Sequence, residues 1–309
     1  MTLVVNVEAV VDGMVFELGY VSGDVDYRHS SHPNVPRRQM SPPRCAVRSP
    51  AVAGSADPNP DSVLAVLHDV VTAVASSLRG LHDWGLAGTR DGQYRSDLVA
   101  DEAALYVIRR AGFGALSEES GMHDPDRPVV VVLDPVDGST NASRDLPWWA
   151  TSVCAVGPDG PIAAVVANQA LESRYEAVRG GGARRDGMTI KPTSCSSIDH
   201  SIVALSGYPR KWLGWNQYRA LGAAALDICA VASGQIDAFI DCAARSLAPW
   251  DYMGAQLICE EAGAHVGEAF GRELVAVEHE ARRTVVAAAT PELLAEAMSR
   301  RAELGDQSR

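Results

Sequence analysis

The segment Pro128-Val-Val-Val-Val-Leu133 carries no polar side chain and runs directly into Asp134-Pro135-Val136-Asp137-Gly138-Ser139-Thr140-Asn141. Such an apolar, β-branched run is too short for a helix. It lacks the alternation of a strand with one wet face, so it reads as a strand buried on both sides. Any fold for this chain must cover that strand above and below, and must present two carboxylates where it ends.

The surrounding pattern supplies material for such layers. Val63, Leu64, Leu67, Val70, Val71, Val74 and Leu78 recur at helical spacing from near Asp61, and a second helix is expected over about 98–111. Strands are expected at 149–156, 162–170 and 175–178, the last running into Gly180-Gly181-Gly182. Farther on come a helix near 221–233, a strand at 238–241 and a helix from Trp250 to Ala262, stopped by Gly263. Helices mixed with strands in both halves give an α/β (α+β) class and a layered sandwich, with no internal repeat. Ahead of this body, seven of the 17 prolines fall between positions 31 and 60, so about 22–57 reads as a linker or disordered arm. Thr2–Val11 and Met14–Tyr20, around Asp12-Gly13, carry a hairpin signal. A lone hairpin is marginal in water and must dock on the body or on another chain.

Composition narrows the partners. At 309 residues and 47% hydrophobic content the chain can fill one large domain or two packed lobes. Its 27 Lys+Arg against 39 Asp+Glu give a net charge of -12, which repels nucleic acid and anionic membranes. An acidic protein that handles an anionic phosphate needs local positive charge, and divalent cations supply it. The six cysteines, Cys45, Cys154, Cys195, Cys229, Cys242 and Cys259, are scattered without zinc-ligand spacing and read as reduced thiols. Glu8 and Asp12 stand where a secretory signal needs a basic region, and no apolar run is expected to approach a membrane span. These features predict a soluble, cytoplasmic protein with no nucleic-acid or membrane partner.

Asp134 and Asp137 sit three residues apart at the strand terminus, with Pro135 stiffening the turn and Gly138 permitting an unusual backbone angle or a close approach by a ligand. Amides of Gly138, Ser139 and Thr140 at a helix start would form a cradle for a phosphate. An isolated Asp-Gly-Ser is ordinarily an Asx-type turn, but the whole string is harder to explain that way. Glu118-Glu119, in Leu116-Ser-Glu-Glu-Ser-Gly121, precedes the buried strand by a short loop; adjacent glutamates are otherwise solvated charge. Asp251, after Trp250 at the head of the last long helix, has an alternative role as an N-cap, and Asp101 has one as an exposed polar residue.

These segments together resemble the inositol monophosphatase family of magnesium-dependent, lithium-sensitive phosphatases, over roughly residues 61–298. The landmarks are Leu-Ser-Glu-Glu-Ser before Gly121, Asp134-Pro-Val-Asp-Gly-Ser-Thr-Asn141, and Trp250-Asp251 followed by Ala255 and Glu261-Ala-Gly263. Arg219, Gly222-Ala-Ala-Ala225 and Gly234 to Asp237 resemble the family's helix and strand after its midpoint, and the run Phe239–Arg245 is more similar to bacterial and archaeal members.

The resemblance implies an αβαβα layered sandwich. It also implies an N-terminal extension (1–57), an N-terminal half carrying most metal ligands (58–190), a C-terminal half (191–300) and a tail (301–309). Glu118, Asp134 and the carbonyl of Val136 would hold one Mg2+, and Asp134, Asp137 and Asp251 a second. Hard oxygen donors suit Mg2+, and two such ions activate a water and stabilise a leaving alkoxide. The water-orienting pair would be Thr140 and Asp101, with Asp97 competing for the role and a candidate for the water shell of a third ion; Glu118 belongs to this catalytic set. Gly138, Ser139, Thr140, Asp241 and Arg245 would meet substrate, with Glu119 beside them. Two positions depart from the family pattern, Ala142 where an aromatic residue is frequent and Ala244 where animal members carry a glutamate.

The implied function is hydrolysis of inositol monophosphate or a related sugar or cyclitol phosphate by a homodimer. Fructose 1,6-bisphosphate, histidinol phosphate and adenosine 3',5'-bisphosphate are alternative substrates. A catalytically silent relative that binds a partner through its N-terminal arm is the non-enzymatic alternative, and the full set of acids argues against it.

Overall fold

The computed structural model describes residues 5–11, 14–20, 59–90 and 92–305, in two units, Met1–Asp57 and Pro58–Arg309. In the first, strands β1 (Val5–Val11) and β2 (Met14–Tyr20) pair antiparallel, Val11 opposite Met14. The turn Asp12-Gly13 and the expected linker over 22–57 lie outside the described residues.

The second unit is built in five layers. Helices α1 (Pro60–Leu78) and α2 (Arg95–Arg110) form the first. They cover one face of an eight-stranded sheet containing β3 (Gly114–Ser117), β4 (Gly121–His123), β5 (Val130–Asp137), β6 (Ala150–Gly157), β7 (Gly160–Asn168), β8 (Ser173–Val178), β9 (Gly182–Arg185) and β10 (Met188–Thr189). A one-turn helix, α3 (Ser139–Ser143), follows β5. Strand order is β10-β9-β8-β7-β6-β5-β3-β4, antiparallel except between β3 and β5. Helices α4 (Ala224–Ala232) and α5 (Pro249–Ala262) form the middle layer. Beyond them lies a five-stranded sheet of β11 (Ile202–Ser206), β12 (Gln217–Arg219), β13 (Ala238–Asp241), β14 (His265–Glu268) and β15 (Val285–Ala288), ordered β12-β11-β13-β15-β14. Helix α6 (Pro291–Ala302) closes the outer face. The αβαβα sandwich expected from the sequence is the fold observed.

The β5 run is buried on both sides, as its composition demands. Val131 and Leu133 pack with α1 and α2, whereas Val132 packs into the middle layer with Leu226 and Ile258. Gly254 lets α5 lie tight on β6: a Cβ there would stand 3.2 Å from Ser152 Oγ and 3.3 Å from the Val153 carbonyl. Glu261 in the last turn of α5 accepts from the amides of Gly180 and Gly182 at 2.7 and 2.8 Å, which fastens the glycine-rich β8–β9 turn.

Several element ends differ from expectation. Helix α2 starts earlier than 98 because the Asp97 carboxylate accepts from Tyr94 N at 2.9 Å and fixes the first turn. Helix α4 starts later than 221 because Gly222 has φ 88°, which no continuing helix can use. The expectation that no apolar run approaches a membrane span is corrected by α1, whose 19 residues are long and apolar enough by length and composition. It is a core helix: Val63, Leu67, Val70, Val71 and Val74 are buried against α2 and the sheet. Strands β3, β4, β11 and β15 and helix α6 were not expected; the strands are short and carry little periodicity.

Candidate active site

The site forms where β5 loses its regular register. Asp134 stands opposite Ser152 and Asp137 opposite Ala150, so three residues of β5 span two of β6. In a regular strand residues three apart point to opposite faces, and this one-residue bulge puts both carboxylates on the same face. The bulge is held by Thr151, whose hydroxyl donates to the Pro135 carbonyl at 2.9 Å, and by Val136 N, which donates to Asp134 Oδ1 at 2.9 Å. Gly138 then turns the chain at φ 88°, and a Cβ there would lie 3.2 Å from the Gly222 carbonyl. The close approach that requires glycine is thus made by the chain's own Gly222 segment.

Glu118 reaches this face from the end of β3, its amide bonded to the Leu133 carbonyl at 3.1 Å, and Asp251 arrives from the first turn of α5. Ligand atoms of Glu118, Asp134 and Asp251 lie within 4.8 Å of one another. Asp251 also accepts from Ala248 N at 2.7 Å, so its helix-end role and its place in the acid group coexist. Asp137 stands beside the group and accepts from Ala224 N at 3.2 Å and Ala225 N at 2.8 Å, capping α4.

Burial, reinforced by mutual repulsion, moves all of these groups in one direction. Glu118 and Asp137 are pushed up to about 8 and Asp251 to about 7, while Asp134 rises well above the carboxylate range. Among the described residues no Lys or Arg forms an ion pair with Glu118, Asp134 or Asp251, though the Arg282 charge lowers Asp251 in part. A largely buried, cation-poor set of hard oxygen donors fits a divalent ion.

Thr140 and Asp101, the expected pair, share no direct hydrogen bond among the described residues. Thr140 Oγ1 lies 3.2 Å from Tyr94 Oη, and Asp101 accepts from Ser117 Oγ at 2.5 Å. Asp97 is on the site side: its charge acts on Glu118, Glu119 acts on it in return, and burial raises it to about 6. Glu119 is engaged by Arg90 at 3.0 Å and by Gln93. Asp241, expected to meet substrate, is fully buried and accepts from Ser246 Oγ at 2.8 and 2.9 Å and from Ala243 N at 3.0 Å, which fastens the turn after β13. Arg245 is exposed at φ 56°, with its amide on Thr284 Oγ1.

Next to the acids a cavity of about 320 Å³ is lined by Asp137, Ser206, Gly207, Gly222, Asp227 and Asp251, among others. Asp227, pushed up to about 7 by burial, accepts from Trp148 Nε1 at 2.8 Å. Sequence reasoning missed Tyr94, Ser206, Asp227, His279 and Arg282 in this neighbourhood. No motif contains them, and only Asp227, an acid inside an all-apolar helix, offered a signal.

A five-layer α/β sandwich that gathers acids at a bulged strand end defines a class of phosphatases, and the comparisons agree. A sequence model of the inositol monophosphatase family matches residues 88–304, and the chain belongs to that family. It is 29% identical over 244 residues to Nus factor SuhB of Salmonella typhimurium, covering 73% of this chain and 84% of that one. It is 33% identical over 221 residues to fructose-1,6-bisphosphatase/inositol-1-monophosphatase of Methanothermobacter thermautotrophicus, covering 64% and 79%. A solved Pyrococcus horikoshii protein with similarities to inositol-1 monophosphatase superposes with a TM-score of 0.67 at 25% identity, over 77% of this chain and 96% of that one.

Proposed function

We propose that this phosphatase is Mg2+-dependent and hydrolyses small phosphate monoesters, inositol monophosphate or a related sugar or cyclitol phosphate first among them. The observation that carries the reading is the convergence of Glu118, Asp134 and Asp251 within 4.8 Å. Glu118, Asp134 and the Val136 carbonyl would hold one ion, with Asp134 shared between the two positions. Asp134, Asp137 and Asp251 would hold a second beside it. Ions bound by these residues would supply Lewis-acid polarisation of a phosphoryl oxygen and a water acidified enough to act as nucleophile at neutral pH.

The chain's own groups do the rest. The first amides of α3, after the Gly138 turn, lack intrahelical partners and would donate to the substrate phosphate. Asp97, raised to about 6, is suited to accept a proton near neutral pH, and Thr140, held at Tyr94, orients the attacking water. The cavity of about 320 Å³ has room for one small polyol. Fructose 1,6-bisphosphate is the second substrate to test, since the Methanothermobacter relative carries both activities in its name. Lithium inhibition, a homodimer and a cytoplasmic location belong to the same reading.

A phosphate-release panel of inositol monophosphate, fructose 1,6-bisphosphate, histidinol phosphate and adenosine 3',5'-bisphosphate, with and without Mg2+, tests it. Mg2+-dependent release from at least one is expected. No release from any would leave the silent-relative alternative standing.

A further inference from the structure

The loop between β14 and β15 reaches both ends of the acid group. His279 Nε2 approaches the Glu118 carbonyl oxygen at 3.4 Å, and its ring lies 4.9 Å from that of Trp250, the residue before Asp251. Three residues on, the Arg282 guanidinium stands over the same indole at 5.4 Å. Its Nη1 donates to the carbonyls of His279 and Ala281 at 2.7 and 2.8 Å. The Arg282 carbonyl accepts from Arg272 Nη1 at 3.0 Å, and Arg272 is itself paired to the buried Glu268. The guanidinium is therefore fixed by its own loop and by the ring beneath it. Its Nε and Nη2 donate to nothing among the described residues, and the side chain is only half-buried, so that edge is open.

A charge count gives that edge a use. Two divalent ions balance the four carboxylates Glu118, Asp134, Asp137 and Asp251, so a phosphate dianion arriving there meets little net attraction unless the chain adds a cation. An Nε–Nη2 edge is the planar fork that matches two phosphate oxygens. We propose that Arg282 is a phosphate-binding residue, its open edge taking the anionic group of substrate and product on the Trp250–Asp251 side, with His279 holding the loop. The proposal rests on the divalent-metal phosphatase reading above.

The test is calorimetric, on the full chain. Inorganic phosphate is titrated into protein saturated with Mg2+, and Mg2+ alone into metal-free protein, for wild type, Arg282→Gln and Arg282→Lys, with melting temperatures in parallel. Arg282→Gln is expected to weaken phosphate by roughly tenfold or more, as a lost charge-assisted contact does. Arg282→Lys recovers part of that loss because the charge stays while the fork goes. Mg2+ affinity is expected to hold or tighten in Arg282→Gln, because a cation beside Asp251 has been removed. Parallel weakening of Mg2+ and phosphate would make Arg282 a structural residue and overturn the proposal, as would unchanged phosphate affinity in both variants. Failure of wild type to take up Mg2+ would instead overturn the metal reading itself, and Arg282 with it.

Discussion

Asp134 sits at the bulge with one oxygen engaged by Val136 N, and burial plus the charges of Glu118, Asp137 and Asp251 drive its pKa upward. Asp134→Asn removes charge from the centre of the group while conserving shape. Since ion stabilisation supplies several kcal/mol and about 1.4 kcal/mol is tenfold, turnover is expected to fall by roughly 10³-fold. The same variant is expected to melt higher than wild type in chelator at pH 8, because one of several mutually repelling carboxyls is gone. Phosphate release and thermal melts check both halves. Asp97 and Asp101 show what sequence could and could not resolve at this scale. Four residues apart on one helix, they share a face, so spacing alone leaves both as candidates. Their partners differ: Asp97 accepts from Tyr94 N at the start of α2, and Asp101 accepts from Ser117 Oγ of β3 through tertiary structure. Asp97→Asn is expected to lower kcat with little change in melting temperature, and Asp101→Asn to do the reverse through Ser117.

Among the elements, the β5 run, α1 and α5 were legible because each has a length and period that only one structure satisfies. The bulge was not, because nothing in Asp134-Pro-Val-Asp137 states which residue is skipped; the partner β6 determines that. Strands β11 and β15, at Ile202–Ser206 and Val285–Ala288, are pinned by neighbours far away in sequence, which is why local pattern left them out. The junction of α3 with α4 is likewise tertiary. Asn141 Nδ2 donates to the carbonyls of Trp148 at 2.8 Å and Leu221 at 2.7 Å, joining the motif loop to the segment that opens α4. Asn141→Ala strands two partly buried acceptors, and a loss of about 1–3 kcal/mol of unfolding free energy is expected in urea melts with Mg2+ present. No change would mean that water replaces the amide at no cost.

For the whole molecule, five layers deliver acids from β3, β5 and α5 to one face, and the arrangement leaves a pH signature. Burial raises Glu118, Asp137, Asp251 and Asp227 in the folded state to about 7 or 8. The folded state therefore binds more protons than the unfolded one between the ordinary carboxylate range and about pH 8. The stability these groups contribute is complete at low pH and is lost as pH rises through that window. Metal-free protein is expected to melt progressively lower from pH 5 to pH 8, and millimolar Mg2+ to flatten the slope. A flat profile without metal would contradict the burial argument. The most direct test of the metal site is calorimetric titration of Mg2+ into metal-free wild type and Asp134→Asn at pH 7, in buffers of different ionisation enthalpy. Wild type should bind two ions per chain with release of protons, since ligands must ionise to coordinate, and Asp134→Asn should lose that binding. Absence of Mg2+ binding by wild type, or equal binding by both, would contradict the site.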